Sequence, residues 1–331
     1  MQTTTSQSSI DSRTLTQDHR ARPISPRDHL TAVLQALLVT FLWSTSWVLI
    51  KLGLRASLPP LTFAGLRYTL GFLCLAPFTL GRAAGRQELR TLSRPAWRQL
   101  AALGLLFYTI TQGAQFFSLA YLPAATLTLL LNLTPLLVAL VSHLSTQEAP
   151  TRVQWAGTAL TVIGVLVYFV PLETAAPQAL GLAAATVCLL ANAASALLGR
   201  SVNAHLSRSP ALVTTVSMGI GGLLLLVLGG ATQGIRQLGL REWAMLAWLA
   251  AVNTAFAFTL WNASLRTLTA VESSLLNCTM LPQIALLAWI FLGEALGRRH
   301  LLGLLLVLCG ALVVQLAAAR LAASPEGNGQ H

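Results

Sequence analysis

A chain of 331 residues with 55% hydrophobic side chains, 9% charged ones and a mean hydropathy of +0.67 lies far from the roughly 25% charge of a soluble domain, which excludes a water-soluble globular enzyme. Twenty-one Lys and Arg against ten Asp and Glu leave a net charge of +11; in a soluble chain this would point to nucleic acid or an anionic surface, but here the positive residues fall between apolar runs and read as topology signals. The aspartates, Asp11, Asp18 and Asp28, all sit in the first 28 residues, which excludes aspartyl-phosphate pumps and intramembrane aspartyl proteases.

Residues 1–29 are rich in Ser, Thr, Gln and Arg without periodicity, a composition that cannot offset chain entropy by burial; a disordered cytoplasmic tail is expected. The first apolar run is too long for a signal-peptide core and has no convincing cleavage site, so it reads as a retained anchor. Runs near the ~20 residues that cross hydrocarbon number ten, at about 30–53, 61–80, 97–118, 123–143, 152–170, 179–200, 210–229, 242–263, 270–291 and 299–319. They must be helices, because open strands facing lipid would strand unpaired N–H and C=O groups. Pro59, Pro60, Pro123, Pro150, Pro171 and Pro210 punctuate the gaps, where a missing N–H costs little. The longest connection, 81–96, carries Arg82, Arg86, Arg90 and Arg94. Cys74, Cys188, Cys278 and Cys309 lie in separate apolar runs, so neither a disulfide framework nor a metal site is expected.

The halves repeat. Pro60 and Gly71 match Pro210 and Gly221 at a spacing of 150, Trp97 matches Trp243 at 146, and Pro135 matches Pro282 at 147. Glu148, Gly157 and Gly164 match Glu294, Gly303 and Gly310 at 146. The expected fold is therefore an all-α integral membrane protein with ten transmembrane helices in two five-helix repeats, 30–171 and 178–319, followed by a short cytoplasmic tail at 320–331. Five is odd, so the second repeat must be inverted relative to the first. With the N-terminus cytoplasmic, inside segments hold fourteen positive residues and outside segments six (Lys51, Arg55, Arg236, Arg241, Arg298 and Arg299), which by the positive-inside rule puts both termini in the cytoplasm of a cell whose inner membrane the chain spans.

This pattern resembles the drug/metabolite transporter superfamily, specifically its EamA-like ten-helix transporters. The likeness is carried by Trp43-Ser44-Thr45-Ser46-Trp47 followed by Lys51, by Arg67 on the second helix, and by Pro135 to Glu148 and Pro282 to Gly293-Glu294 at the ends of helices four and nine. Gln147-Glu148 departs from the Gly-Glu of that pattern, and the second half has no Trp motif around Asn192. The resemblance implies a central cavity that opens alternately to each side, mostly for export of small metabolites or drugs.

Polar side chains at membrane depth cost roughly 2.5–3.5 kcal/mol for a central Arg, so they should face protein or water. Arg67 follows Pro60 by seven residues, about 10 Å along a helix, within partial snorkelling reach of the interface; its repeat counterpart is Ser217. It either binds an anionic group, pairs with a carbonyl, or simply orients its helix. Tyr108, Gln112 and Gln115 with Thr111 form one stripe, and Thr128, Asn132 and Pro135 another. Thr254, Phe258, Trp261 and Asn262, then Ser273, Asn277 and Met280, form the equivalent stripes of the second half. These and Asn192 are candidates for a cavity wall, against the alternative of interhelical polar contacts worth ~0.6 kcal/mol each. The aromatic rings of Trp43, Trp47, Tyr108, Phe258 and Trp261 are placed to stack a planar or cationic solute. Glu272 is a gate candidate or a first-turn carboxylate complementing the helix dipole, and His143 is expected at the interface. Pro135 and Pro282 break the hydrogen-bond ladder mid-helix and are candidate gating hinges, the alternative being a static kink.

No cofactor is expected: the sequence has no GxxxxGK[ST] phosphate cradle and no HExxH. The expected partners are a small-molecule solute and the lipid bilayer, with no nucleic acid; a homodimer is left open. The favoured activity is alternating-access export or exchange of small metabolites, amino-acid-like or amphipathic and cationic. The alternatives are a channel or scramblase-like pore and, further off, an intramembrane enzyme, which would need a Ser with a His at matching depth.

Overall fold

The computed structural model describes residues 26–138, 141, 151–169, 176–206, 209–268 and 270–323. His143, Glu148 and the outermost parts of both expected tails lie outside these residues. Every regular element among the described residues is a helix: α1 Pro26–Arg55, α2 Pro60–Thr79, α3 Ala83–Arg90, α4 Arg94–Tyr121, α5 Ala124–Val138, α6 Arg152–Phe169, α7 Ala176–Leu206, α8 Pro210–Gln233, α9 Leu240–Ser264, α10 Ala270–Cys278, α11 Met280–Leu292 and α12 Arg298–Ala323. Nine spans among the described residues are long and apolar enough to cross a bilayer, with α10 and α11 contributing to a single crossing, and the shorter apolar α5 makes the tenth.

Local chemistry sets the boundaries. Pro60 and Pro210 open α2 and α8, where a missing N–H costs nothing; Ser93 and Ser209 cap α4 and α8 by accepting from the N–H groups of Ala96 and Leu212 at 3.4 Å. Gly293 ends α11 in the left-handed conformation at φ 65°, which only glycine adopts without strain. Two elements differ from the sequence expectation. α1 begins at Pro26, inside the expected tail, because Pro26 supplies a helix start and Asp28 lies in the first turn, where a negative charge complements the helix dipole. The basic connection folds into α3, whose Leu89 packs with Leu80 and Leu92 against Leu100 and Val213. From the same helix Glu88 Oε2 accepts from the N–H and hydroxyl of Ser209 at 3.3 and 3.2 Å.

Equivalent helices of the two repeats pack against each other, α2 on α8 and α6 on α12. Both pairs run antiparallel. A β-carbon on Gly65 would lie 2.4 Å from Leu226 Cα, and one on Gly229 would lie 2.4 Å from Thr62 N, while Gly222 abuts Tyr68 and Thr69: positions rising along α2 meet positions falling along α8. Gly157 likewise meets Gly310, and Gly164 meets Gly303 and Val307. Helices that match in sequence yet oppose in direction make the repeats inverted. Small residues drive this contact because lipid supplies no hydrophobic force between helices and close backbone packing must do so instead. Outward-facing Val227, Phe291 and Leu305 are 70, 63 and 57% exposed, a surface suited to hydrocarbon and unsuited to water.

The bundle has two ends, named here for α1: the His29 end and the Arg55 end. The main apolar cluster, which includes Phe63, Tyr68, Phe116, Met218 and Leu249, sits where α1, α2, the second half of α4, α8 and α9 meet.

Candidate solute site

Arg67 on α2 is 5% exposed. It does not snorkel: the guanidinium turns inward, its Nε donating to Thr254 Oγ1 at a long 3.4 Å and its Cζ lying 5.2 and 5.9 Å from the ring centres of Tyr68 and Phe116. Among the described residues no carboxylate pairs with it, and its two terminal nitrogens have no hydrogen-bond partner. Beside it the Tyr68 hydroxyl donates to Gln112 Oε1 at 2.7 Å, and the Tyr68 and Tyr108 rings meet edge to face at 5.4 Å. Gln112 and Gln115 are both buried at 9% exposure, and the amide of Gln115 makes no hydrogen bond among the described residues. Arg67, Tyr108 and Gln112 from the sequence reading thus come together, and Gln115 lies one turn beyond Gln112 on the same helix.

The backbone there is unusual. Residues Gly104–Thr111 of α4 and Ala251–Phe256 of α9 are π-helical, and at the repeat spacing of 146 the two stretches coincide. In each, a threonine hydroxyl reaches the carbonyl five residues back: Thr111 to Leu106 and Thr254 to Leu249, both at 2.8 Å. Wide turns of this kind re-aim side chains and free backbone groups, which is why they recur at functional sites. No apolar periodicity betrays them, and they were not expected from sequence.

α9 extends the site from Thr254 toward the His29 end. Phe258 and Trp261 each tilt against Trp43 of α1, with ring centres 5.4 and 5.3 Å apart, and Trp261 also packs near Ala32, Ala36 and Leu268. Asn253, unexpected from sequence, is fully buried; its amide nitrogen donates to the Leu42 carbonyl and to Thr45 Oγ1, and its Oδ1 has no partner. Trp47 turns into the apolar core. Asn262 is half-buried on the same helix as Phe258, with no side-chain hydrogen bond to a described residue.

The remaining candidates gather at two helix interruptions. α5 is broken at Asn132 and Leu133, just before Pro135, and the α10–α11 crossing is broken at Thr279, just before Pro282. A proline cannot donate to the carbonyl four residues back and its ring crowds that turn, so the break falls in the preceding turn. Both prolines are exposed. A polar contact from the first helix of the other repeat meets each break. Asn192 of α7 donates to Thr134 Oγ1 at 3.1 Å. Ser44 of α1 donates to Gln283 Oε1 at 2.9 Å, and Gln283 Nε2 donates to Thr279 Oγ1 at 3.1 Å. Gln283 escaped the sequence reading; a polar residue beside an intramembrane proline was the available signal. Asn132 spends its amide on its own helix, donating to the Thr128 carbonyl at 2.8 Å, and Asn277 is exposed, so neither joins the Arg67 cluster.

The two ends are tied differently. At the Arg55 end Lys51 Nζ donates to the carbonyls of Leu119 and Leu122 at 2.5 and 2.6 Å, and Arg55 donates to the Leu292 carbonyl at 2.9 Å. Cations there satisfy the open carbonyls of a helix C-terminus. Glu294 accepts from the N–H groups of Ala124 and Ala125 at 2.8 and 3.3 Å, the first turn of α5. At the His29 end, Glu272 Oε1 lies 2.8 Å from His29 Nε2.

An inverted pair of five-helix units around a buried cation, two π-helical stretches and two broken helices is an architecture suited to a membrane transporter. The EamA-like transporter family matches residues 30–170 and again 179–316, and the chain belongs to that family. It is 24% identical to the uncharacterized transporter YoaV of Bacillus subtilis (strain 168) over 82% of this chain and 92% of the relative. It is 25% identical to an S-adenosylmethionine/S-adenosylhomocysteine transporter of Chlamydia trachomatis serovar L2 over 80% and 83%. The similarity to the uncharacterized transporter YvbV of B. subtilis is 34% but spans only 41% of this chain and 43% of that one. A solved crystal structure superposes on 88% of this chain and 99% of its own length with a TM-score of 0.63 at 23% identity, a likeness of fold alone. The chain is therefore a multi-pass membrane protein of a transporter family, and the relatives reported above are named as transporters.

Proposed function

We propose that the chain is an alternating-access exporter or exchanger of amino-acid-like solutes in the cell's inner membrane, with both termini cytoplasmic. The observation that carries the solute class is Arg67: a buried guanidinium that among the described residues has no carboxylate partner and unused terminal donors is matched by a ligand that brings the anion, and a carboxylate suits its fork geometry. Phe258 and Trp261 follow Thr254 by four and seven residues on α9, about 6 and 10 Å along the helix. A solute held at Arg67 by its carboxylate therefore lays a flat or cationic side group against Trp43, Phe258 and Trp261. S-adenosylmethionine, named for the chlamydial relative, joins an amino acid to a flat purine nucleoside and has this shape, which supports the reading. The solute carries one negative group, since a single Arg at this depth cannot neutralise a multiply charged phosphate.

Counterflow in proteoliposomes tests this. Vesicles preloaded with an unlabelled amino acid should transiently accumulate labelled amino acid above equilibrium. Simple equilibration without overshoot would favour the pore instead.

A further inference from the structure

One connection carries more than the fold requires. α2 ends and α4 begins at the His29 end, and between them the chain adds α3, whereas the equivalent connection of the second repeat, 234–239, forms no helix. There Arg236 is spent on the carbonyls of Ala56 and Ser57, to which it donates at 3.1 and 3.5 Å. A helix that joins two span ends lies at headgroup depth, and Trp97, 41% exposed in the first turn of α4, is a side chain that favours this level. α3 has two sides. Gly85, Glu88 and Leu89, at i, i+3 and i+4, are half-buried and form the inward side, while Arg82, Arg86 and Arg90 are exposed. Arg94 and Arg98 continue the exposed series into α4, so that arginine recurs at every fourth position from 82 to 98.

We propose that this stretch is a docking surface for the anionic phospholipid headgroups of the adjoining leaflet, with Arg82, Arg86 and Arg90 as its main contacts. Charge complementarity selects the partner. Among the described residues none of the five guanidiniums has a hydrogen bond, an ion pair or a ring contact. Glu88 is the one acidic residue between Arg82 and Arg98, so five positive charges stand against one negative, and the Glu88 carboxylate is turned inward to the N–H and hydroxyl of Ser209. The other acidic residues described at this end, Asp28 and Glu272, belong to α1 and α10, and Glu272 meets His29. Unpartnered arginines on a two-sided helix beside a transmembrane span attract anionic lipid, and the guanidinium fork suits a phosphate. Because α3 also holds Ser209 through Glu88, lipid bound to it ties the end of α2 to the start of α8, a helix of the other repeat.

The test uses the full chain in mild detergent, titrated with phosphatidylglycerol or phosphatidylcholine, with bound lipid counted by native mass spectrometry. Phosphatidylglycerol should bind more tightly, and added salt should narrow the difference. Arg86→Gln combined with Arg90→Gln should weaken phosphatidylglycerol binding about fivefold per arginine and leave phosphatidylcholine unaffected. Arg86→Lys combined with Arg90→Lys keeps the charge and should keep most of the binding. As a control, Arg241→Gln combined with Arg298→Gln removes the same charge from exposed positions at the Arg55 end and should leave the preference as it was. An equal loss in the control would mean that net charge alone attracts the lipid, and equal binding of the two lipids by the parent chain would leave no docking surface; either overturns the proposal. So does displacement of phosphatidylglycerol by an equal concentration of inorganic phosphate, which would make this a site for a free anion. The replaced side chains are exposed, so every variant should melt with the parent. None of these readouts requires transport, so failure here leaves the solute assignment standing, and the reverse also holds.

Discussion

Replacing Arg67 with Met separates a ligand-holding cation from a structural one. Taking the charge out of the membrane removes an insertion cost of about 2.5–3.5 kcal/mol. Against this stand the loss of one long hydrogen bond to Thr254, worth about 0.6 kcal/mol in a bilayer, and of the contacts with the Tyr68 and Phe116 rings, together about 0.5–2 kcal/mol. The variant should therefore be as stable as the parent or more so, by roughly 0–2.5 kcal/mol from these figures. Met keeps an unbranched stem of similar reach, so packing around Phe116 survives. Transport should move the other way: uptake of a zwitterionic amino acid should fall about ten- to a hundredfold, the equivalent of a lost charge-assisted bond of about 1.5–3 kcal/mol. Uptake of the corresponding amine, which lacks the carboxylate, should hardly change. Melting temperature in detergent and initial rates in proteoliposomes read the two quantities separately. A lower melting temperature with equal losses for both solutes would refute the reasoning and make Arg67 a packing residue.

Further outcomes follow from the packing. Gly65→Ala places a methyl group 2.4 Å from Leu226 Cα and should lower the melting temperature far more than Gly293→Ala, whose β-carbon meets nothing within 4 Å and costs only the left-handed strain of about 1–2 kcal/mol; similar shifts would mean that α2 and α8 are not tightly apposed. Glu294→Ala removes the acceptors at the start of α5 and should cost about 0.5–2 kcal/mol, with Glu294→Gln recovering part of it by thermal denaturation. Pro135→Ala and Pro282→Ala should each change the transport rate more than the amount of folded protein in the membrane; parallel loss of both would leave the prolines a static role. A reporter fused after His331 should read cytoplasmic, and a periplasmic reading would reverse the orientation drawn from the arginine distribution.

How far the sequence reaches depends on the range of the forces involved. Bilayer thickness acts on every stretch of chain alike, so ten apolar runs announce ten crossings, and an odd-numbered repeat obliges inversion before any coordinate is seen. Periodicity also placed Tyr108 and Gln112 on one helix face, and Phe258 and Trp261 on another, because a helix presents every third and fourth residue to the same neighbour, while Arg67 stood out as a charge at membrane depth. Side-chain reach was beyond it. Arg67 turned inward, where its guanidinium meets the Thr254 hydroxyl and the Tyr68 and Phe116 rings; Asn132 and Asn277 left the shared surface because one found its own backbone and the other faces outward. The partnership of Gln283 with Ser44 and the capping of α5 by Glu294 join residues far apart in the chain, and the π-helical stretches, though local, leave no mark on the apolar periodicity. Composition and spacing along one strand carry no record of such meetings, since only the packed arrangement of helices determines which groups lie within hydrogen-bond distance.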